Sequence, residues 1–239
     1  MTSKELIEDI CGFCAANVNE ENVQKYSRYF KGEYKAYGVG KELMEAKIKE
    51  LIHDKKVSLD VILEAAPLLI AAEKYEEPSF ALLLTDAFAK QYNRAIFDQI
   101  ASWYLVGIRN WAHADVLGMM ILPKFVAKDI IEIEDFRPWL SAANPFQRRS
   151  VPVTLIKHIK KHQEAIVPLF AFLEPLMSDP VREVHQGMGW YLREAWKLNP
   201  EVTEAFLSKW KETAPRLIFQ YACEKMEKEK KELFRRAKK

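Results

Sequence analysis

Apolar residues recur at three- and four-residue spacing along almost the whole chain, and most prolines fall between these runs rather than inside them. Such a period puts one apolar stripe on each of many helices, and each stripe must be buried against another helix. Leu43, Ile48, Leu51 and Ile52 mark one helix. Val61, Leu63, Leu68, Leu69 and Ile70 fall in the next stretch, followed by Phe80, Leu83, Leu84, Ala87 and Phe88, then by Ile96, Ile100, Trp103 and Val106. The pattern predicts further helices at 111–121, 123–130, 135–142, 145–160, 162–176, 180–198, 200–212 and 214–236. Pro78, Pro123, Pro138, Pro145, Pro180, Pro200 and Pro215 lie near the predicted helix starts, where a missing N–H costs nothing. Asp179-Pro180 and Asn199-Pro200 read as an N-cap followed by a first helical residue. Pro152, Pro168 and Pro175 are placed to kink or split helices. Only 8 of 239 residues are glycine, which argues against tight-turned β-folds and glycine-rich nucleotide folds.

The predicted helices pair at intervals of about 35–40 residues, the period of HEAT-type repeats. The expected fold is therefore all-α, a HEAT-like repeat α-solenoid of stacked antiparallel helix pairs with a concave face. Residues 1–225 form its single domain and 226–239 a basic helix end or tail. A four-helix bundle is the rival, but a dozen helices are too many for one. No apolar run reaches the roughly 18–20 residues of a membrane span, and the N-terminal residues lack the apolar centre of a signal peptide. A cytoplasmic, membrane-independent monomer is expected.

Three cysteines do not make an even disulfide set. Cys11-Gly12-Phe13-Cys14 has redox spacing but sits in an amphipathic helix without βαβ context, so it reads as packing. His158 and His162 share a helix face with no further ligand pattern, and no metal or cofactor is expected. Walker, dinucleotide and nucleophile-elbow motifs are absent from the sequence.

The net charge is only +2, but it is clustered. Residues 224–239 hold eight Lys/Arg against four Glu. Residues 144–163 hold Arg148, Arg149, Lys157, Lys160 and Lys161 with no acid, and residues 24–41 hold five cations against Glu33. Clustered cations suit a polyanion better than the total suggests.

Three stretches carry possible chemistry. Trp111 and Asp115 are four apart, so they share a helix face; an aromatic plane beside a carboxylate suits a flat cation, and equally fits a core Trp with a capping acid. Trp190, in Gly189-Trp190-Tyr191-Leu192-Arg193-Glu194, fits packing as well as binding. Arg148 and Arg149, near a helix start, fit phosphate contact or a solvated basic turn.

Taken in order, these stretches resemble the AlkD-type DNA alkylation repair enzymes, a family of HEAT-like-repeat DNA glycosylases. Trp111-x-x-x-Asp115 resembles its catalytic segment, and Gly189-Trp190-Tyr191-Leu192-Arg193-Glu194 followed by Asn199-Pro200 resembles a later one. Phe146-Gln147-Arg148-Arg149 resembles its phosphate-contact segment. Arg28-Tyr29-Phe30-Lys31 with Tyr37-Gly38-Val39 resembles its opening. The similarity runs from about residue 20 to 225.

The resemblance implies excision of cationic N3- or N7-alkylated purines from double-stranded DNA, without a metal and without a base pocket. It implies that Asp115, Trp111 and Trp190 are catalytic. Arg149, Arg148, Tyr29, Arg193 and Lys31 would contact DNA. Ala112-His113-Ala114 departs from a more polar or branched spacer, and Phe146 stands where Trp is common. A non-catalytic DNA-binding relative and a protein-interaction scaffold are the other two readings.

Overall fold

The computed structural model describes residues 1–53 and 57–236, and these are all-helical, with fourteen α-helices and no strand. The chain falls into two compact units, Met1–Val116 and Leu117–Lys239.

The first unit holds α1 (Ser3–Ala16), α2 (Glu20–Ser27), α3 (Lys41–His53), α4 (Leu59–Ala71), α5 (Glu76–Ala87), α6 (Arg94–Val106) and α7 (Trp111–Val116). Local chemistry sets the starts. Thr2 and Glu5 form a reciprocal capping box on α1, and Asn19, Ser58 and Asn93 cap α2, α4 and α6 with their side-chain oxygens. α4 packs on α5 and α6, and α5 packs on α7. Their shared core includes Ile62, Leu69, Phe80, Leu84, Ile100 and Trp103. The cysteine pair sits in α1, where burial pushes the Cys14 thiol up to about 12, so it is a packing residue and not a thiolate at neutral pH.

One polar group organises the non-helical part of this unit. The Glu76 carboxylate, only 2% exposed, accepts backbone N–H groups of Tyr37 (2.9 Å), Gly38 (2.7 Å) and Val39 (3.2 Å). Three charge-assisted bonds offset its desolvation and pin the 34–40 segment to the start of α5. Gly38 is required there. Its φ is +80°, and a Cβ would lie 2.1 Å from the Asn19 carbonyl oxygen.

The second unit opens with a π-helical turn, Leu117–Ile121, followed by α8 (Leu122–Val126) and a 3₁₀ stretch, Ile133–Ser141. Then come α9 (Pro145–Ile159), α10 (Ile166–Leu173), α11 (Arg182–Leu198), α12 (Pro200–Trp210), α13 (Arg216–Ala222) and α14 (Lys228–Leu233). α11 packs on both α9 and α13. Helices that pack on the helix two places along, as α4 on α6 and α9 on α11 do, are consistent with an α-solenoid. No helix among the described residues is long and apolar enough to cross a membrane.

Asn144-Pro145 and Asn199-Pro200 are caps followed by first helical residues. Asp179-Pro180 is not. α11 starts at Arg182, and the Asp179 carboxylate accepts the Val181 N–H and pairs with Arg148 instead. Pro152 lies inside an unbroken α9. The helix predicted over 214–236 is two, because the chain doubles back to bury Met226 and Phe234. Arg216 donates to the Phe234 carbonyl (2.8 Å) and Lys230 pairs with Glu204 (2.6 Å), so the basic segment is fastened to its unit as far as Arg236. Residues 237–239, the end of the expected tail, lie outside the described residues.

Candidate active site

α7 has six residues and runs without a break into the π-helical turn Leu117–Ile121, so the side chains at its start follow helical phase. Asn110 caps it. The Asn110 Oδ1 accepts the His113 N–H (2.9 Å), and its carbonyl accepts the Ala114 N–H (3.3 Å). Trp111 and Asp115 lie on one side and are half-buried, whereas His113 is turned the other way and is 2% exposed. The His113 Nδ1 lies 2.9 Å from Asn110 Nδ2, and its Nε2 lies 3.0 Å from both the Tyr75 carbonyl oxygen and Ser79 Oγ. Burial lowers its pKa to about 4 against a weaker opposing effect of the Tyr75 carbonyl, so the ring is neutral at pH 7.

Aromatic rings close the arrangement. Trp111 stacks on Phe30 at 5.5 Å, Phe30 stacks on Tyr34 at 4.5 Å and meets Tyr75 edge-on at 5.7 Å, and Tyr75 stacks on His113 at 4.7 Å. The indole N–H of Trp111 donates to the Tyr29 carbonyl at 3.2 Å, a bond between residues 82 apart in sequence. Tyr29 itself is 56% exposed, with the Arg28 guanidinium 4.9 Å from the centre of its ring. Burial raises the Tyr34 and Tyr75 phenol pKa values, so both stay protonated as neutral rings. Beside them opens a cleft of about 270 Å³ whose walls include Phe30, Lys31, Tyr34, Lys74, Arg109 and His113. Lys31 is exposed on it.

Within the first unit, then, the Arg28-Tyr29-Phe30-Lys31 stretch and the Trp111–Asp115 stretch meet. Phe30, Tyr34, Tyr75 and His113 were not singled out as site residues from sequence. One signal was available for the first two: Tyr26, Tyr29, Phe30, Tyr34 and Tyr37 put five aromatics into twelve residues. Tyr75 and His113 carry no such mark.

In the second unit the basic residues are largely used internally. Arg148 holds Asp179 through Nε (2.6 Å) and Nη2 (3.2 Å), and its Nη1 donates to the carbonyls of Ala142 and Ala143. Arg149 is 5% exposed; its Nη1 donates to the Glu183 carbonyl (2.7 Å), and its side chain packs where a Cβ on Gly187 would stand. Arg193 pairs with Glu194 and Glu224. Trp190 is half-buried on α11, beside Gly189, whose missing Cβ lets α13 approach. The exposed cations of the 144–163 run are the lysines at its far end. There Lys157, Lys161 and the stacked His158–His162 pair (4.6 Å) border a cleft of about 870 Å³.

The sequence profile of the DNA alkylation repair enzyme family matches residues 14–226. The chain belongs to that family. All of the candidate residues, from Tyr29 to Arg193, lie inside the matched span. Among solved structures, a predicted DNA alkylation repair enzyme from Enterococcus faecalis is similar with a TM-score of 0.72. It covers 89% of this chain and 98% of its own at 16% identity, a likeness of fold. Among curated proteins, none matches by sequence.

Proposed function

We propose that this family member is a monofunctional DNA glycosylase that hydrolyses the N-glycosidic bond of cationic N3- and N7-alkylated purines in duplex DNA. What supports this most is the meeting of Trp111 with Tyr29 and Phe30, which joins the Arg28–Lys31 segment to the helix that carries Asp115. An alkylated purine already carries positive charge and departs as a neutral base with the bond's electron pair. Positive charge then builds on the deoxyribose. The Asp115 carboxylate stabilises that charge and orients the water that attacks C1′; the water's proton is lost and an abasic site remains. Trp111, stacked on Phe30, and the exposed Tyr29 offer aromatic faces to the cationic nucleotide. Trp190 takes the same part in the resemblance.

For DNA contact, the exposed Tyr29 and Lys31 are better placed than Arg148, whose guanidinium is held by Asp179 and two carbonyls. Arg149 and Arg193 keep the resemblance's phosphate role only through whatever their internal bonds leave over. The scaffold is HEAT-like, and the enzyme works as a cytosolic monomer with no cofactor.

The test is release of 7-methylguanine from methylated duplex DNA. Asp115→Asn should lower single-turnover release by roughly a hundredfold or more while DNA affinity holds, as expected when a preorganised charge is removed. Normal release by Asp115→Asn overturns the mechanism. Binding without release by the wild type overturns the glycosylase reading in favour of a non-catalytic DNA-binding protein.

A further inference from the structure

Every polar group around His113 fits one protonation state. Asn110 Oδ1 is occupied by a backbone N–H, so the Asn110 amide presents its NH₂ to the imidazole. His113 Nδ1 is therefore an acceptor, and the ring proton sits on Nε2. Nε2–H points to the Tyr75 carbonyl and Ser79 Oγ, both at 3.0 Å. The Ser79 hydroxyl donates to that same carbonyl at 2.8 Å, which turns an oxygen lone pair toward Nε2–H. The imidazole thus bridges the cap of α7 to the residue preceding α5, and Tyr75 also stacks on its face.

Helical phase makes this bridge directional. His113 is two residues from Trp111 and two from Asp115, roughly 200° around the helix from each at 3.6 residues per turn. Fixing His113 inward fixes the other two on the opposite side. An apolar residue here would give burial without a defined roll of the helix. The ring contacts then close a circuit, from Trp111 to Phe30 to Tyr75 to His113 and back along α7.

We propose that His113 is a positioning residue: its two-sided hydrogen bonding sets the roll of α7 and so the direction of Trp111 and Asp115. This rests on the glycosylase reading for its catalytic consequence, but not for its geometry.

The experiment uses the full chain with His113→Leu, which keeps volume and loses both bonds, and His113→Gln, which restores a donor toward Tyr75. Single-turnover release and DNA affinity are measured on methylated duplex. In parallel, ¹⁹F NMR of 5-fluorotryptophan protein follows the Trp111 resonance, assigned with Trp111→Phe. His113→Leu should lower the release rate roughly tenfold or more with affinity kept within about twofold, since small misplacements cost rate rather than binding. Its Trp111 resonance should shift, and His113→Gln should recover much of both. An unchanged Trp111 resonance in His113→Leu overturns the proposal, whatever the rate does. A shifted resonance with an unchanged rate overturns the role in the reaction. Losses in His113→Leu and His113→Gln that merely follow an equal loss of DNA affinity or thermal stability reduce His113 to packing and overturn it too. If the wild type releases no base, the glycosylase reading fails by itself, and the resonance alone upholds or overturns the positioning of α7.

Discussion

At the scale of single residues, burial decides which charges exist. His113 protonates only near pH 4 in the folded chain, against about 6.5 when unfolded. Between those values the unfolded state binds the extra proton, so this contribution to stability is complete above pH 6.5 and lost as pH falls toward 4. The loss approaches about 3 kcal/mol at 1.36 kcal/mol per pH unit. Denaturant unfolding of wild type and His113→Leu at pH 7 and 4.5 checks this: the variant should lose less stability on acidification, and equal losses would acquit the histidine. Arg148 gives a second test. As a fastener of Asp179 it should cost about 3–5 kcal/mol when replaced by Ala, because a buried carboxylate is left with no guanidinium. A purely DNA-contacting arginine would instead weaken binding and leave the unfolding midpoint in place. The sequence placed Arg148 and Arg149 beside a helix start, which was correct, but it did not show that both point into their own unit. Their partners, Asp179 and the Glu183 carbonyl, lie 31 and 34 residues away.

At the scale of elements, helix starts were legible because caps and first-turn prolines act within three or four residues. Asn93, Asn144 and Asn199 all accept from the first turn that follows them. What was not legible was how closely helices approach. Gly189 reads as part of a motif, yet its physical role lies in the α11–α13 crossing. A Cβ there would stand 2.6 Å from Tyr221 Cβ and 2.7 Å from the Ile218 carbonyl oxygen. Gly189→Ala should therefore destabilise by about 1–3 kcal/mol through forced separation of the two helices, against the slight gain that alanine usually brings to a helix interior. Thermal unfolding decides between the two signs. The break between α13 and α14 follows the same logic: the 214–236 sequence is helical by composition, and burying Phe234 near Phe219, 6.5 Å between rings, requires a turn that no local signal announces.

For the whole molecule, charge patterning points to a polyanion, and the fold narrows which cations are free to meet it. With Arg148, Arg149 and Arg193 engaged internally, exposed lysines such as Lys31 are better placed for the proposed DNA contact. If about four phosphates are neutralised, duplex affinity should fall roughly a hundredfold between 50 and 200 mM salt. Fluorescence anisotropy of a labelled duplex measures that slope, and no affinity even at low salt would point to a protein-interaction scaffold.

The sequence by itself determined an all-helical chain, many of its helix starts and the family, since amphipathic period, caps and ordered motifs are all local in the chain. Only the tertiary structure decided which side chains of those motifs are turned inward and which outward. Trp111 finds its hydrogen-bond partner 82 residues away, and His113, in the sequence only part of a departing spacer, is buried with a hydrogen-bond partner on each ring nitrogen. The physical reason is that burial and pairing depend on what lies across the fold, and a helical period says which residues share a face but not what that face meets.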